Sequence, residues 1–156
     1  MPFKFNRLAV RDVIQIESVK FKDERGFFEE AFKLPDFKNF GINLNIKQIN
    51  FSHSSKGVLR GLHYQLEPFV QAKLVRVISG AIFDVAVDLR IGSDTFGKWV
   101  GAILTPNDKN MLFIPEGFAH GFEVLGRADS GELRARFVHC PFYGWGRWFA
   151  KSWRDG

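Results

Sequence analysis

A second cysteine is missing from this chain of 156 residues, so Cys140 has no partner for an internal disulfide. Also missing are an apolar run long enough to span a bilayer and a leader-like hydrophobic stretch near the first residues. The expectation is a soluble, cytoplasmic protein with no membrane partner. Positive charge is in excess by 5, yet no stripe of Lys and Arg interleaves with aromatics along one element. Up to residue 125 there are 16 Lys+Arg against 14 Asp+Glu, and beyond it 6 against 3, so the body is near neutral and a nucleic-acid partner is not expected. A few placed cations suit a small anionic ligand better.

Phenylalanine, by contrast, is abundant. Eighteen of them supply a rich core for a chain whose length implies one domain. Short β-branched or aromatic segments bounded by turn residues run from Val13 to Phe21, Gly26 to Phe32, Ile46 to Phe51, Val58 to Gln65, Leu74 to Ser79, Ala81 to Arg90, Gly97 to Leu104, Met111 to Ile114 and Gly121 to Leu125. Ser79-Gly80 between two apolar runs predicts a tight hairpin turn, and Pro35 to Phe40 one short helical turn. His53, among Ser52, Ser54 and Ser55, is expected in a loop without a catalytic part. The spacing predicts an all-β antiparallel sandwich or barrel with little helix.

The segment from Gln48 to Arg90 carries unusually many polar groups for β-structure. Gln48, Asn50, Arg60, His63, Lys73, Asp84 and Asp88 all fall in or beside apolar strands. Burying an unpaired polar group costs roughly 1–3 kcal/mol, so strands keep such groups where a site needs them. A catalytic cavity inside the barrel accounts for them. Alternation assigns faces: Phe83, Val85, Val87 and Leu89 share one, and Ile82, Asp84, Ala86 and Asp88 the other. Gln48 and Asn50 likewise oppose Ile49 and Phe51. Arg60 and His63 have opposite parity, so a regular strand cannot aim both inward. A bulge or strand end is expected near Gly61, where glycine permits an irregular backbone.

Six motifs in one order then carry a family resemblance. They are Phe21-x-Asp23-x-Arg25-Gly26-x-Phe28-x-Glu30-x-Phe32, Gln48-x-Asn50, Arg60-Gly61-Leu62-His63-Tyr64-Gln65, Lys73-Leu74-Val75-Arg76-Val77, Asp84-Val85-Ala86-Val87-Asp88-Leu89-Arg90, and Ile114-Pro115-x-Gly117-Phe118-Ala119-His120-Gly121-Phe122. From about residue 10 to Leu125 the chain resembles the dTDP-4-dehydrorhamnose 3,5-epimerases.

The resemblance implies a cupin-type double-stranded β-helix, or jelly-roll, barrel acting as a homodimer in dTDP-rhamnose synthesis. The implied reaction inverts carbons 3 and 5 of dTDP-4-dehydro-6-deoxyglucose. Both carbons flank the ketone, so a base, a group stabilising the enolate and an acid suffice, and no cofactor is needed. His63 matches the family base and Lys73 the candidate enolate stabiliser, while Asp84 would orient one of them. Arg25 and Arg60 would pair with the diphosphate. Glu30, Gln48 and Asn50 would bind sugar and thymine edges, Phe21 and Phe28 would pack on the base, and His120 would stand at the pocket rim. In the family the Phe21 to Glu30 segment is exchanged into the partner's pocket.

Bland readings stand beside these. Lys73 alone would be a snorkelling lysine, Arg25 an exposed salt-bridge partner of Asp23, and Asp88 with Arg90 a structural pair at a strand end. Metal-binding cupins present His-x-His, which this sequence lacks, so no metal is expected.

After Leu125 the resemblance stops, which divides the single domain into an epimerase-like barrel (1–125) and an atypical tail (126–156). All ten isoleucines precede residue 126, while five of eleven arginines follow it. A divergent end, an expression artefact and a shifted reading frame are the competing explanations. If Cys140 matches the family cysteine, Val138 falls where the family's acid tyrosine stands and Tyr143 on a nucleotide-contacting tyrosine. The alternatives are a single-carbon epimerase or ketoisomerase on dTDP-4-dehydro sugars, or a catalytically impaired cupin that binds nucleotide sugars.

Overall fold

The computed structural model describes residues 2–107 and 111–126, and beyond them the strand Arg134–Pro141 as backbone. Twelve strands and one short helix are present among the described residues: β1 (Phe3–Arg7), β2 (Ile14–Ser18), β3 (Lys20–Asp23), β4 (Gly26–Glu29), α1 (Leu34–Asn39), β5 (Asn50–Ser55), β6 (Leu59–His63), β7 (Lys73–Ser79), β8 (Ile82–Asp88), β9 (Trp99–Leu104), β10 (Met111–Ile114), β11 (Phe118–Val124) and β12 (Arg134–Pro141). α1 starts with a proline in its first turn, which needs no N–H there. It is too short and polar to cross a membrane, and no other helix among the described residues does so.

Two sheets face each other, one in the order β1-β2-β10-β7-β12-β5 and one in the order β6-β11-β8-β9, with β3-β4 as a separate hairpin. All pairings are antiparallel. This is the jelly-roll barrel that the resemblance implies. Between the sheets Val75, Val77, Ile82, Ala86, Val100, Leu104, Leu112, Ile114, Phe118 and Val124 form the interior core. A second cluster, with Phe37 of α1 against Phe3, Ile14, Ile16, Leu74 and Met111, brings α1 against the larger sheet. Phe37 meets Phe3 and Phe5 edge-on at 5.3 Å, a favoured aromatic geometry.

The strand alternation holds along β8, where Ile82, Asp84, Ala86 and Asp88 are buried and Phe83, Val85 and Val87 only partly so. Two expectations need correction. Ser79-Gly80 is a tight turn, with Gly80 at φ 75, but it joins β7 in one sheet to β8 in the other and closes no hairpin. Crossing between sheets lets both strands bury one face in the same interior. His53 lies in a strand and not in a loop, because Ser52 and Ser54 continue the inward parity of Asn50 while His53 stays exposed. Beyond residue 125 the larger sheet gains β12, which fills the place between β7 and β5. Without it those two strands would have unpaired neighbouring edges.

Candidate active site

The interior contains polar side chains from both sheets, on β7 of the larger one and on the neighbouring β8 and β11 of the smaller. Lys73 shares the inward parity of Val75 and Val77 on β7, Asp84 that of Ile82 and Ala86 on β8, and His120 that of Phe118 and Phe122 on β11. All three are buried, with Asp84 fully so. His120 Nε2 lies 2.6 Å from Asp84 Oδ1, a short bond in which the ring N–H donates to the carboxylate. Asp84 Oδ2 has no hydrogen-bond partner among the described residues. Burial lowers the Lys73 ammonium from 10.5 to about 8, with the negative charge of Asp84 opposing the fall.

His63 reaches this group from β6, where its backbone is paired directly with that of His120. The register between β6 and β11 then slips: His63 pairs with His120 and Arg60 with Phe122, so three steps on β6 oppose two on β11. That is a bulge at Gly61, the irregularity that the parity of Arg60 and His63 requires. Burial lowers the His63 imidazole below its usual 6.5, and electrostatic interaction with His120, Lys73 and Arg60 lowers it further. Arg60 itself is held by Ser54, whose buried hydroxyl accepts from Nη2 at 3.3 Å and Nε at 3.4 Å.

The remaining candidates lie farther out. Gln48 Nε2 donates to Asn50 Oδ1 at 2.6 Å, with both side chains at the entry to β5. Phe21 and Phe28 face each other across the β3-β4 hairpin and are 55% and 66% exposed, an unusual state for two phenylalanines. Arg25 stands at the hairpin turn, its side chain 85% exposed, and pairs with Asp23 at 2.6 Å. Glu30 lies just past β4, with Lys33 at 4.0 Å. At its base the hairpin is tied down: Glu29 accepts from Ser18 and from Arg76, the latter at 2.8 Å, and Lys20 donates to the Pro106 carbonyl at 2.6 Å.

Two placements differ from the sequence expectation. His120 is buried inside the barrel and not at a rim. Asp84 bonds to His120, and neither His63 nor Lys73 accounts for its short contact, because β11 lies next to β8 and carries His120 onto the same face two residues offset from Asp84. Asp88, as the bland reading had it, is a structural group: Arg90, Ser93 and Thr95 all donate to it, and Arg90 also bonds to Asp12. A surface cavity of about 530 Å³ among Arg7, Asp12, Arg90 and Glu116 includes none of the candidate residues. Ser54 was missed, although its parity with Asn50 marks it as inward. Tyr143 and the side chains of Val138 and Cys140 lie outside the described residues; the Val138 backbone pairs with Phe51 and Arg76.

Comparison with known proteins follows the same lines. A family profile described as dTDP-4-dehydrorhamnose 3,5-epimerase matches residues 7–132. A dTDP-4-dehydrorhamnose 3,5-epimerase of Shigella flexneri is 56% identical over 128 residues, which are 81% of this chain and 70% of that protein. One of Escherichia coli is 51% identical over 136 residues, 86% of this chain and 74% of that one. Among solved structures, a dTDP-6-deoxy-D-glucose-3,5-epimerase of Legionella pneumophila in complex with dTDP-4-keto-L-rhamnose superposes with a TM-score of 0.86 at 42% identity, covering 98% of this chain and 79% of that one.

Proposed function

This chain belongs to the dTDP-4-dehydrorhamnose 3,5-epimerase family, and from that premise we propose that it inverts carbons 3 and 5 of dTDP-4-dehydro-6-deoxyglucose in the cytoplasm. The observation that carries the reading is the bulge in β6, which brings His63 beside Lys73 and the His120–Asp84 pair. His63 is the base. Its lowered pKa keeps the imidazole neutral at pH 7 and able to accept a proton.

A carbon acid next to a ketone is far weaker than imidazolium, and each unit of mismatch costs about 1.4 kcal/mol. The enolate must therefore be stabilised as it forms. Lys73, at about 8, is still mainly an ammonium at pH 7 and supplies that charge from inside the barrel. Asp84 keeps Lys73 charged against its burial and fixes the ring of His120. His63 takes the proton from carbon 3 or carbon 5, the electron pair moves into the ketone oxygen, and a proton returned from the opposite face inverts the carbon.

Arg60, anchored on Ser54, faces the diphosphate, and Gln48 and Asn50 bind sugar or thymine edges. Phe21, Arg25, Phe28 and Glu30 serve the pocket of a second copy, with the hairpin exchanged in a homodimer. Their exposure at a hairpin tied down at its base supports that role. The test is product stereochemistry: NMR of the reaction mixture should show both carbons inverted. Inversion at carbon 3 alone would identify a single-carbon epimerase, and an unchanged sugar with dTDP still bound would identify a binding protein.

A further inference from the structure

The bulge at Gly61 depends on the strand beside it. Gly61 has φ +134, and a Cβ built on it would lie 2.5 Å from Gly121 Cα and 3.0 Å from the His120 carbonyl oxygen. The crowding is mutual: a Cβ on Gly121 would lie 2.9 Å from the Arg60 carbonyl oxygen, 3.2 Å from Gly61 Cα and 3.1 Å from Leu62 Cδ2. Two of those three contacts are backbone, which has no rotamer to retreat into. Gly121 is in mid-strand, where glycine ordinarily weakens a sheet and no turn explains it. It also lies at the register slip, between His120 and Phe122.

We propose that Gly121 is a positioning residue: by carrying no side chain it lets β6 lie close enough to β11 to keep the bulge that brings His63 to Lys73 and the His120–Asp84 pair. Pushing β6 away by the few tenths of an ångström or more that a methyl demands would draw His63 off Lys73 and His120. The base is a side chain of the displaced strand itself, so the loss falls on the proton transfer. The turnover part of this inference rests on the proposed epimerase reading; the geometric part does not.

The experiment compares Gly121→Ala with Gly101→Ala. Gly101 is tighter still, since a Cβ there would meet the Phe83 ring at 2.4 Å, but it lies on β9 and the close obstacle is a side chain. The readouts are the NMR titration of the His63 ring, assigned by its absence in His63→Gln, and the rate of solvent exchange at carbons 3 and 5. In Gly121→Ala the titration midpoint should rise toward 6.5, as the ring becomes less buried and moves away from His120, Lys73 and Arg60, and exchange should fall at least tenfold. Gly101→Ala should leave both unchanged. If Gly121→Ala does not fold, Leu62→Ala combined with it removes the 3.1 Å side-chain contact and is judged by the same readouts. A folded variant with an unmoved His63 titration, or an equal effect in Gly101→Ala, overturns the inference. Absence of exchange in the wild type would refute the epimerase reading alone, and the His63 titration would still decide the role of Gly121.

Discussion

Replacing Lys73 by methionine should make the protein more stable and slow its chemistry. Lys73 is 6% exposed, and its ammonium titrates near 8 in place of 10.5. At about 1.4 kcal/mol per pH unit, holding the charge in the fold costs roughly 3–4 kcal/mol below pH 8. The folded state binds fewer protons than the unfolded state between pH 8 and 10.5, so this penalty fades as pH rises through that window and is gone above it. Methionine keeps the length and apolar stem without the charge. Some of the gain is lost because Asp84 then lacks a nearby cation, leaving a net stabilisation of roughly 1–3 kcal/mol at pH 7. Urea unfolding at pH 7 and pH 10 measures it: Lys73→Met should exceed the wild type at pH 7, and the gap should shrink at pH 10. Losing the enolate's cation should slow turnover by about 10²–10³-fold. A variant less stable than the wild type at pH 7, or a gap independent of pH, would refute the reasoning.

Asp84→Asn removes the attraction that opposes burial of Lys73, so the Lys73 pKa should fall below about 8; the alkaline limb of the pH–rate profile should move to lower pH and kcat at pH 7.5 drop about 10–100-fold. An unmoved limb would contradict this. Arg90→Met leaves the fully buried Asp88 without its cation and should cost about 3–5 kcal/mol by urea unfolding at pH 7, with KM unchanged. Hydrogen bonds from Arg90, Thr95 and Ser93 hold the Asp88 carboxyl well below the usual range, so its stabilisation is present above pH ~4 and lost on further acidification. Wild type and variant should therefore converge near the Asp88 titration. Arg76→Met unties Glu29 and loosens the β3-β4 hairpin; KM should rise severalfold while kcat at saturating substrate holds, as steady-state kinetics would show.

Parity made much of this legible. The alternation along Ala81 to Arg90 fixed which residues enter the barrel, and the opposite parity of Arg60 and His63 required the bulge observed at Gly61. Parity gives a face, however, and not a cross-strand neighbour. The partner of Asp84 is 36 residues away and follows from β8 lying beside β11, a matter of sheet order. For the same reason Ser79-Gly80 looked like a hairpin turn: a tight turn between apolar runs has the same local chemistry whether its strands pair or separate into two sheets. β1 lacks an apolar run, because only Phe3 of Phe3–Arg7 is buried. β12 was obscured by the arginines and the altered composition after residue 125, although its neighbours β5 and β7 leave a strand-wide gap for it.

The central claim is that His63 removes protons from both carbons flanking the ketone. Incubation with dTDP-4-dehydro-6-deoxyglucose in D2O, followed by NMR at carbons 3 and 5, tests it directly. The wild type should exchange both protons, and His63→Ala should lose exchange at both while still binding dTDP. Exchange that persists in His63→Ala, or a wild type that binds dTDP and exchanges neither proton, would contradict the account.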